Sequence, residues 1–187
     1  MDCILDAPSA RQQSYRISVQ SYHHLAELGM LITDVELLDG FIIKKMAKSP
    51  LHCLCVSRLL DLLHRLLPSG FWLRKEDPIT TSHSEPEPDI SIVRGDAEDY
   101  AKAHPATAEL AIEVSVSSEE IDFRKAAIYA EAGVKEYWVV EPVAKKLTVF
   151  HSPAGRAYAQ TTVYDGAQTV TSVALPTLRA TLPELFA

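Results

Sequence analysis

With 187 residues, 47% of them apolar and 23% charged, the chain has the balance of one globular domain, residues 1–187, with an ordinary hydrophobic core. Its net charge of −7 excludes a coat protein that holds nucleic acid by charge alone, since that binding needs Lys and Arg to neutralise phosphates, but it does not exclude an enzyme whose acids hold cations. No apolar stretch reaches the ~20 residues that span a bilayer, and the N-terminus, where Asp2 and Asp6 bracket a short run, lacks a signal peptide's layout; a cytoplasmic protein with no membrane contact is expected.

Residues 18–29 begin with a capping-type Ser18 and stop at Gly29, the limits of a short amphipathic helix. Val35 to Ile43 holds two apolar runs around Asp39-Gly40, the strongest local signal for a hairpin, and puts Glu36 on a strand near the turn. From Ser49-Pro50 to Leu67, Leu51, Leu54, Cys55, Leu59, Leu62, Leu63 and Leu66 recur at helical spacing. Pro50 suits the first turn and Pro68-Ser69-Gly70 ends the run, which predicts the main core helix. Phe71 to Thr81 reads as a strand interrupted near Pro78. Residues 81–88 read as a loop with His83, Glu85 and Glu87 in solvent, Glu87 being a candidate outer metal contact.

Ile90 to Val93 and Leu110 to Val114 are unbroken apolar runs of strand length, joined by an irregular connection over 96–109 that can hold a helical turn. Glu119 to Ala132 is a helix, acidic at its start and stopped by Gly133. Glu136 to Val140, Lys146 to His151, Tyr158 to Tyr164 and Thr169 to Ser172 follow as strands, and Leu182 to Phe186 closes as a short turn. Three cysteines, an odd number, make no disulfide framework and agree with a reducing compartment. Cys53 and Cys55, two apart on a helix, point to different faces, which favours core packing over joint zinc chelation.

The chemistry-bearing residues fall on consecutive elements: Asp89 at a strand entrance, Glu113 inside the next strand, Lys125 on the following helix. A carboxylate inside a strand core is costly unless something positive compensates it. Were Asp89 and Glu113 about 4 Å apart, their repulsion would be on the order of 4 kcal/mol at an effective dielectric near 20, so a cation binds or one of them protonates. Carboxylate-held metal ions can activate water, neutralise phosphoryl charge and stabilise a departing oxyanion, and a nearby ammonium can orient the water. The same residues have plainer readings: Asp89 as a turn cap, Glu113 as a buried partner of a Lys or Arg, Lys125 as a solvated helix residue paired with Asp122, and Glu36 as a cross-strand partner. His52, in the first turn of the long helix, suits capping or packing as well as a place near a phosphate. The chain has no Gly-rich phosphate loop, no nucleophile-elbow serine and no His-Glu-x-x-His pattern. Ser115 and Ser117 have no patterned histidine base.

The segments Glu36-Leu37-Leu38-Asp39-Gly40, Ser49-Pro50-Leu51-His52, Pro88-Asp89-Ile90-Ser91-Ile92-Val93, Ala111-Ile112-Glu113-Val114-Ser115 and Lys125 to Val140, followed by Pro142, resemble the Uma-type family of putative restriction endonucleases, from about residue 17 onward. The resemblance implies the PD-(D/E)xK nuclease superfamily. The fold would then be α/β (α+β), a restriction-endonuclease-like core with a central mixed β-sheet flanked by helices, and the activity an Mg²⁺-dependent cut in DNA, with Mn²⁺ a possible substitute. It further implies Asp89 and Glu113 as metal ligands, Glu36 as an auxiliary acid and Lys125 as the catalytic lysine, with Tyr129 four residues on to hold the lysine or touch a phosphate. One position departs from the superfamily's motif: its lysine belongs two residues after the second acid, where this chain has Ser115. A long lysine stem on the next helix can reach back over the strand end. A homodimer is expected, because closed pairs reach both strands of a duplex. The alternative is a non-catalytic dimeric scaffold or nucleic-acid-binding remnant on the same fold.

Overall fold

Two short helices, Pro8–Gln13 (α1) and Val19–Glu27 (α2), lead into a hairpin of Val35–Leu38 (β1) and Phe41–Lys44 (β2) in this computed structural model, which describes residues 7–31 and 33–186. The run between Asp2 and Asp6 lies outside the described residues. Ser18 caps α2 by accepting the Ser21 N–H, as expected of its position. The hairpin turn takes positive φ at both central residues, 50° at Asp39 and 80° at Gly40, which suits its right-handed strands. Gly40 is required for a second reason: a Cβ there would meet the Arg16 Cβ at 2.7 Å.

Pro50–Leu66 (α3) starts where Ser49 accepts the His52 N–H at 3.2 Å, and it buries Cys55, Val56, Leu59, Leu62 and Leu63. Leu51, Cys53 and Leu54 are exposed, so the expected core face begins a turn late and Cys53 does not pack inside. The reason is positional: the first turn, with Ser49 and His52, overhangs a cleft rather than the sheet.

The sheet is built from Phe71–Lys75 (β3), Ile90–Arg94 (β4), Leu110–Val114 (β5), Glu136–Glu141 (β6), Lys146–Ala154 (β7) and Ala157–Tyr164 (β8), in that spatial order. Every neighbouring pair is antiparallel except β5 and β6. Parallel neighbours need a long crossover, and Glu119–Glu131 (α4) supplies it. β3 ends at Lys75, earlier than the sequence suggests, because the next residue, Glu76, with a φ of 56°, turns the chain out of the ladder. Thr169–Thr171 (β9) pairs with Arg179–Thr181 (β10), and Leu182–Phe186 (α5) follows.

Period-two alternation sorts the strand residues between two cores. Ile90, Ile92, Leu110, Ile112, Val114, Trp138 and Val140 pack with α3, α5 and the β9–β10 pair. Val93, Ala111, Tyr137 and Val139 pack on the opposite side with Tyr129 of α4. Glu113, odd-numbered like Ala111, therefore belongs to the α4 side. Glu136 shows what a satisfied structural carboxylate looks like here: fully buried, it accepts from Trp138 on one oxygen and from Ser172 and the Ala174 N–H on the other. Among the described residues no helix is long and apolar enough to cross a membrane.

Candidate active site

Where β4 begins and β5 ends, a cleft of about 80 Å³ is lined by Glu36, Asp89, Glu113 and Lys125 together. The sheet register explains half of this convergence. Ile90 pairs with Ile112 in the antiparallel β4–β5 ladder, so one residue further Asp89 stands across from Glu113, and directly opposed residues share a face. Asp89 Oδ2 accepts the backbone N–H of Val114 at 2.7 Å, which fastens the acid to the residue following Glu113. From the α3 side, His52 Nε2 reaches the same carboxylate at 3.1 Å. His52 thus caps nothing with its ring and instead steadies Asp89.

The other half comes from α4. Residues 122, 125 and 129 follow one another at helical spacing on one face, and all three are buried. Lys125 Nζ lies 3.0 Å from Glu113 Oε1 and 2.9 Å from Glu36 Oε1. Tyr129, its side chain wholly buried, donates its hydroxyl to Glu113 Oε1 at 3.0 Å, the same oxygen that Lys125 reaches. The solvated cation on this helix is the neighbour, Arg124, which pairs with Glu120 on the surface. Glu36 Oε2 accepts the Glu87 N–H at 3.2 Å, so both its oxygens are held. β1 reaches this place through the Leu37–Glu85 bridge, in which the Glu85 N–H bonds Leu37 O at 2.7 Å.

Glu36, Asp89, Glu113 and Asp122 are all at most 8% exposed, and Lys125 is the one lysine buried among them. That imbalance sets the protonation states. Burial would lower the Lys125 pKa, but Glu113, Glu36 and Asp122 outweigh it and hold the ammonium well above its ordinary range. Burial raises Glu113 strongly; Lys125 opposes this, while Asp89, Asp122 and Glu36 add to it. Asp122 is raised by burial against the pull of Ser118 and Lys125. At the far end of the sheet the balance is reversed, with Glu109 shared by Arg94 and Lys135.

The donor set fits a hard divalent cation. Unlike Glu136, Glu113 takes both of its side-chain donors on Oε1, so Oε2 carries neither. Among the described residues no three His, Cys, Asp or Glu side chains already form a cage. An ion held by Asp89 and Glu113 would complete its shell with water and backbone oxygen, as Mg²⁺ prefers.

Three parts of this neighbourhood carry no sequence signal that marks them as site residues. Asp122 stands out only as three positions before Lys125. Lys45 and Lys48 line the cleft from the segment after β2, paired with Glu87 and Glu76. Glu85 is not in solvent as the polar loop suggests: it is 6% exposed and bonded by His23 and Thr80. Glu87 is half-buried, engaged by Lys45.

Comparison with known proteins agrees with this architecture. The family model described as "Putative restriction endonuclease", Uma2, matches residues 19–183. The crystal structure of a putative nuclease from Anabaena variabilis superposes with a TM-score of 0.74 at 19% identity, covering 87% of this chain and 96% of that one. At that identity the likeness establishes the fold, a mixed sheet flanked by helices. None of the curated proteins matches the sequence.

Proposed function

The chain belongs to the Uma2 family of putative restriction endonucleases, and from that premise we propose that it hydrolyses DNA phosphodiester bonds with Mg²⁺ bound at Asp89 and Glu113. The observation that carries the reading is the buried Lys125 ammonium, set between Glu113 and Glu36 although the motif's usual lysine position is Ser115. Bound at the two acids, the ion supplies an acidified water and neutralises charge building on the phosphoryl oxygens. Lys125 stays protonated throughout the working pH range, because its pKa is held up by the surrounding carboxylates. Its part is therefore to orient the attacking water and steady negative charge, never to accept a proton. Glu36 acts through Lys125, fixing the long side chain so that little rotamer freedom is lost on catalysis. His52 and the Val114 N–H fix the Asp89 carboxylate in the same way.

Supercoiled plasmid incubated with the protein and Mg²⁺ or Mn²⁺ should be nicked or linearised, and EDTA should stop it. A protein that leaves every DNA substrate whole under both ions overturns the reading in favour of a non-catalytic scaffold. The same reading carries a homodimer, since one cleft addresses one strand and a two-fold pair addresses both. Sedimentation velocity at micromolar protein should show the dimer mass; monomer alone counts against that part.

A further inference from the structure

The lysines at the cleft mouth have no place in the chemistry above. Lys44, Lys45 and Lys48 make the densest cluster of cations in the chain, and no Asp or Glu lies between Asp39 and Asp61. Lys44, Lys45 and Lys48 all line the cleft, along with Ser49 and His52 at the start of α3. The positive end of that 17-residue helix adds to the field they create. Their carboxylate partners are borrowed from another part of the chain: Glu87 for Lys45 and Glu76 for Lys48, both ion pairs being a quarter to two-fifths exposed.

Partly exposed pairs of this kind contribute little to folding, so the lysines are parked rather than committed. A phosphate of a strand entering the cleft can replace each carboxylate at small cost, with counterions released from the DNA. Glu76 and Glu87 are also tied to the reacting centre, Glu76 through its N–H to Asp89 O at 3.1 Å and Glu87 through its N–H to Glu36. The lysines are thereby held at a fixed offset from the acids.

We propose that Lys45 and Lys48, with Lys44 beside them, form the strip that grips the phosphate backbone of DNA on one side of the scissile bond. This rests on the DNA-cutting reading and adds to it the surface that compensates for an acidic protein's repulsion of its substrate. The strip recognises phosphates and not base edges, so it affects all sequences alike.

The test is the binding of a fluorescein-labelled duplex, followed by anisotropy from 50 to ~200 mM NaCl, with every protein carrying Asp89→Asn so that nothing is cut. Lys45→Ala/Lys48→Ala should reduce the slope of log K against log salt by about 2, roughly one for each phosphate no longer neutralised. The control is Lys102→Ala/Lys135→Ala, which removes the same charge at the opposite end of the sheet, where β4 ends and β6 begins; its slope should equal that of the parent. Equal slopes in both double variants overturn the strip while leaving the DNA reading intact. A parent protein that binds no duplex at all overturns both.

Discussion

Asp89→Asn should lower Mg²⁺-dependent DNA cleavage by about three orders of magnitude or more while leaving the protein folded, since removal of a single preorganised catalytic group already costs about 10²–10³. Asparagine keeps an oxygen of the same shape for the Val114 N–H, so the β4–β5 junction retains its hydrogen bond and loses only charge. Folding stability should change by no more than about 1 kcal/mol in either direction, because a buried repulsion is relieved as a charge-assisted bond is weakened. Plasmid cleavage rates and thermal unfolding measured on the same preparations check both halves. A variant that cuts at the wild-type rate removes Asp89 from the mechanism.

The pH dependence of stability follows from the same acids. Glu113 and Asp122 both have folded pKa values raised above their ordinary ones, by burial first. The folded state therefore binds protons more tightly than the unfolded chain, and this contribution is fully present below the unfolded carboxylate range and lost as pH rises through the folded values. In EDTA the wild-type protein should lose stability as pH rises from the ordinary carboxylate range. Asp89→Asn removes one of the charges that raise Glu113 and should flatten that slope.

Lys125→Met carries the second large effect, which is structural as well as catalytic. Removing the ammonium leaves Glu36 and Glu113 buried without their cation, a loss on the order of 3–5 kcal/mol. For a chain of this size that is a fall in melting temperature of about 6–20 °C. The loss should shrink at lower pH, where the stranded acids take up protons. Adding Glu36→Gln to Lys125→Met should recover part of the stability, since it removes a charge that no longer has a partner, and should recover no cleavage. Differential scanning calorimetry of the single and double variants reads the first effect, and the plasmid assay reads the second. A Lys125→Met protein with wild-type stability would mean that the lysine is not committed to the two acids.

The elements that frame the cleft are legible because their signals are local. Ile90 to Val93 and Leu110 to Val114 are short apolar runs, Glu119 to Ala132 has acidic first-turn residues and a glycine stop, and Asp39-Gly40 is a turn pair with one favoured geometry. β9 and β10, each three residues long, illustrate the limit: Thr169-Val170-Thr171 is β-branched throughout and registers as a strand, whereas Arg179-Ala180-Thr181 carries little strand propensity and escapes a sequence reading. Residues 83–87 mislead in part because polar composition usually means solvent. Glu85 instead pairs with β1 and receives His23 from α2, contacts between segments that share no local pattern.

The sequence by itself determined the six strands of the main sheet and the crossover helix between β5 and β6, and that Asp89, Glu113 and Lys125 fall on consecutive elements of that set. Only the tertiary structure decided that the lysine of α4 serves the acids of β1 and β5, that His52 steadies Asp89, and that Lys45 and Lys48 share the cleft. The physical reason is that helix and strand patterning depends on neighbours a few residues away, whereas ion pairing depends on register and packing between distant segments, as with Glu36 and Lys125, 89 positions apart.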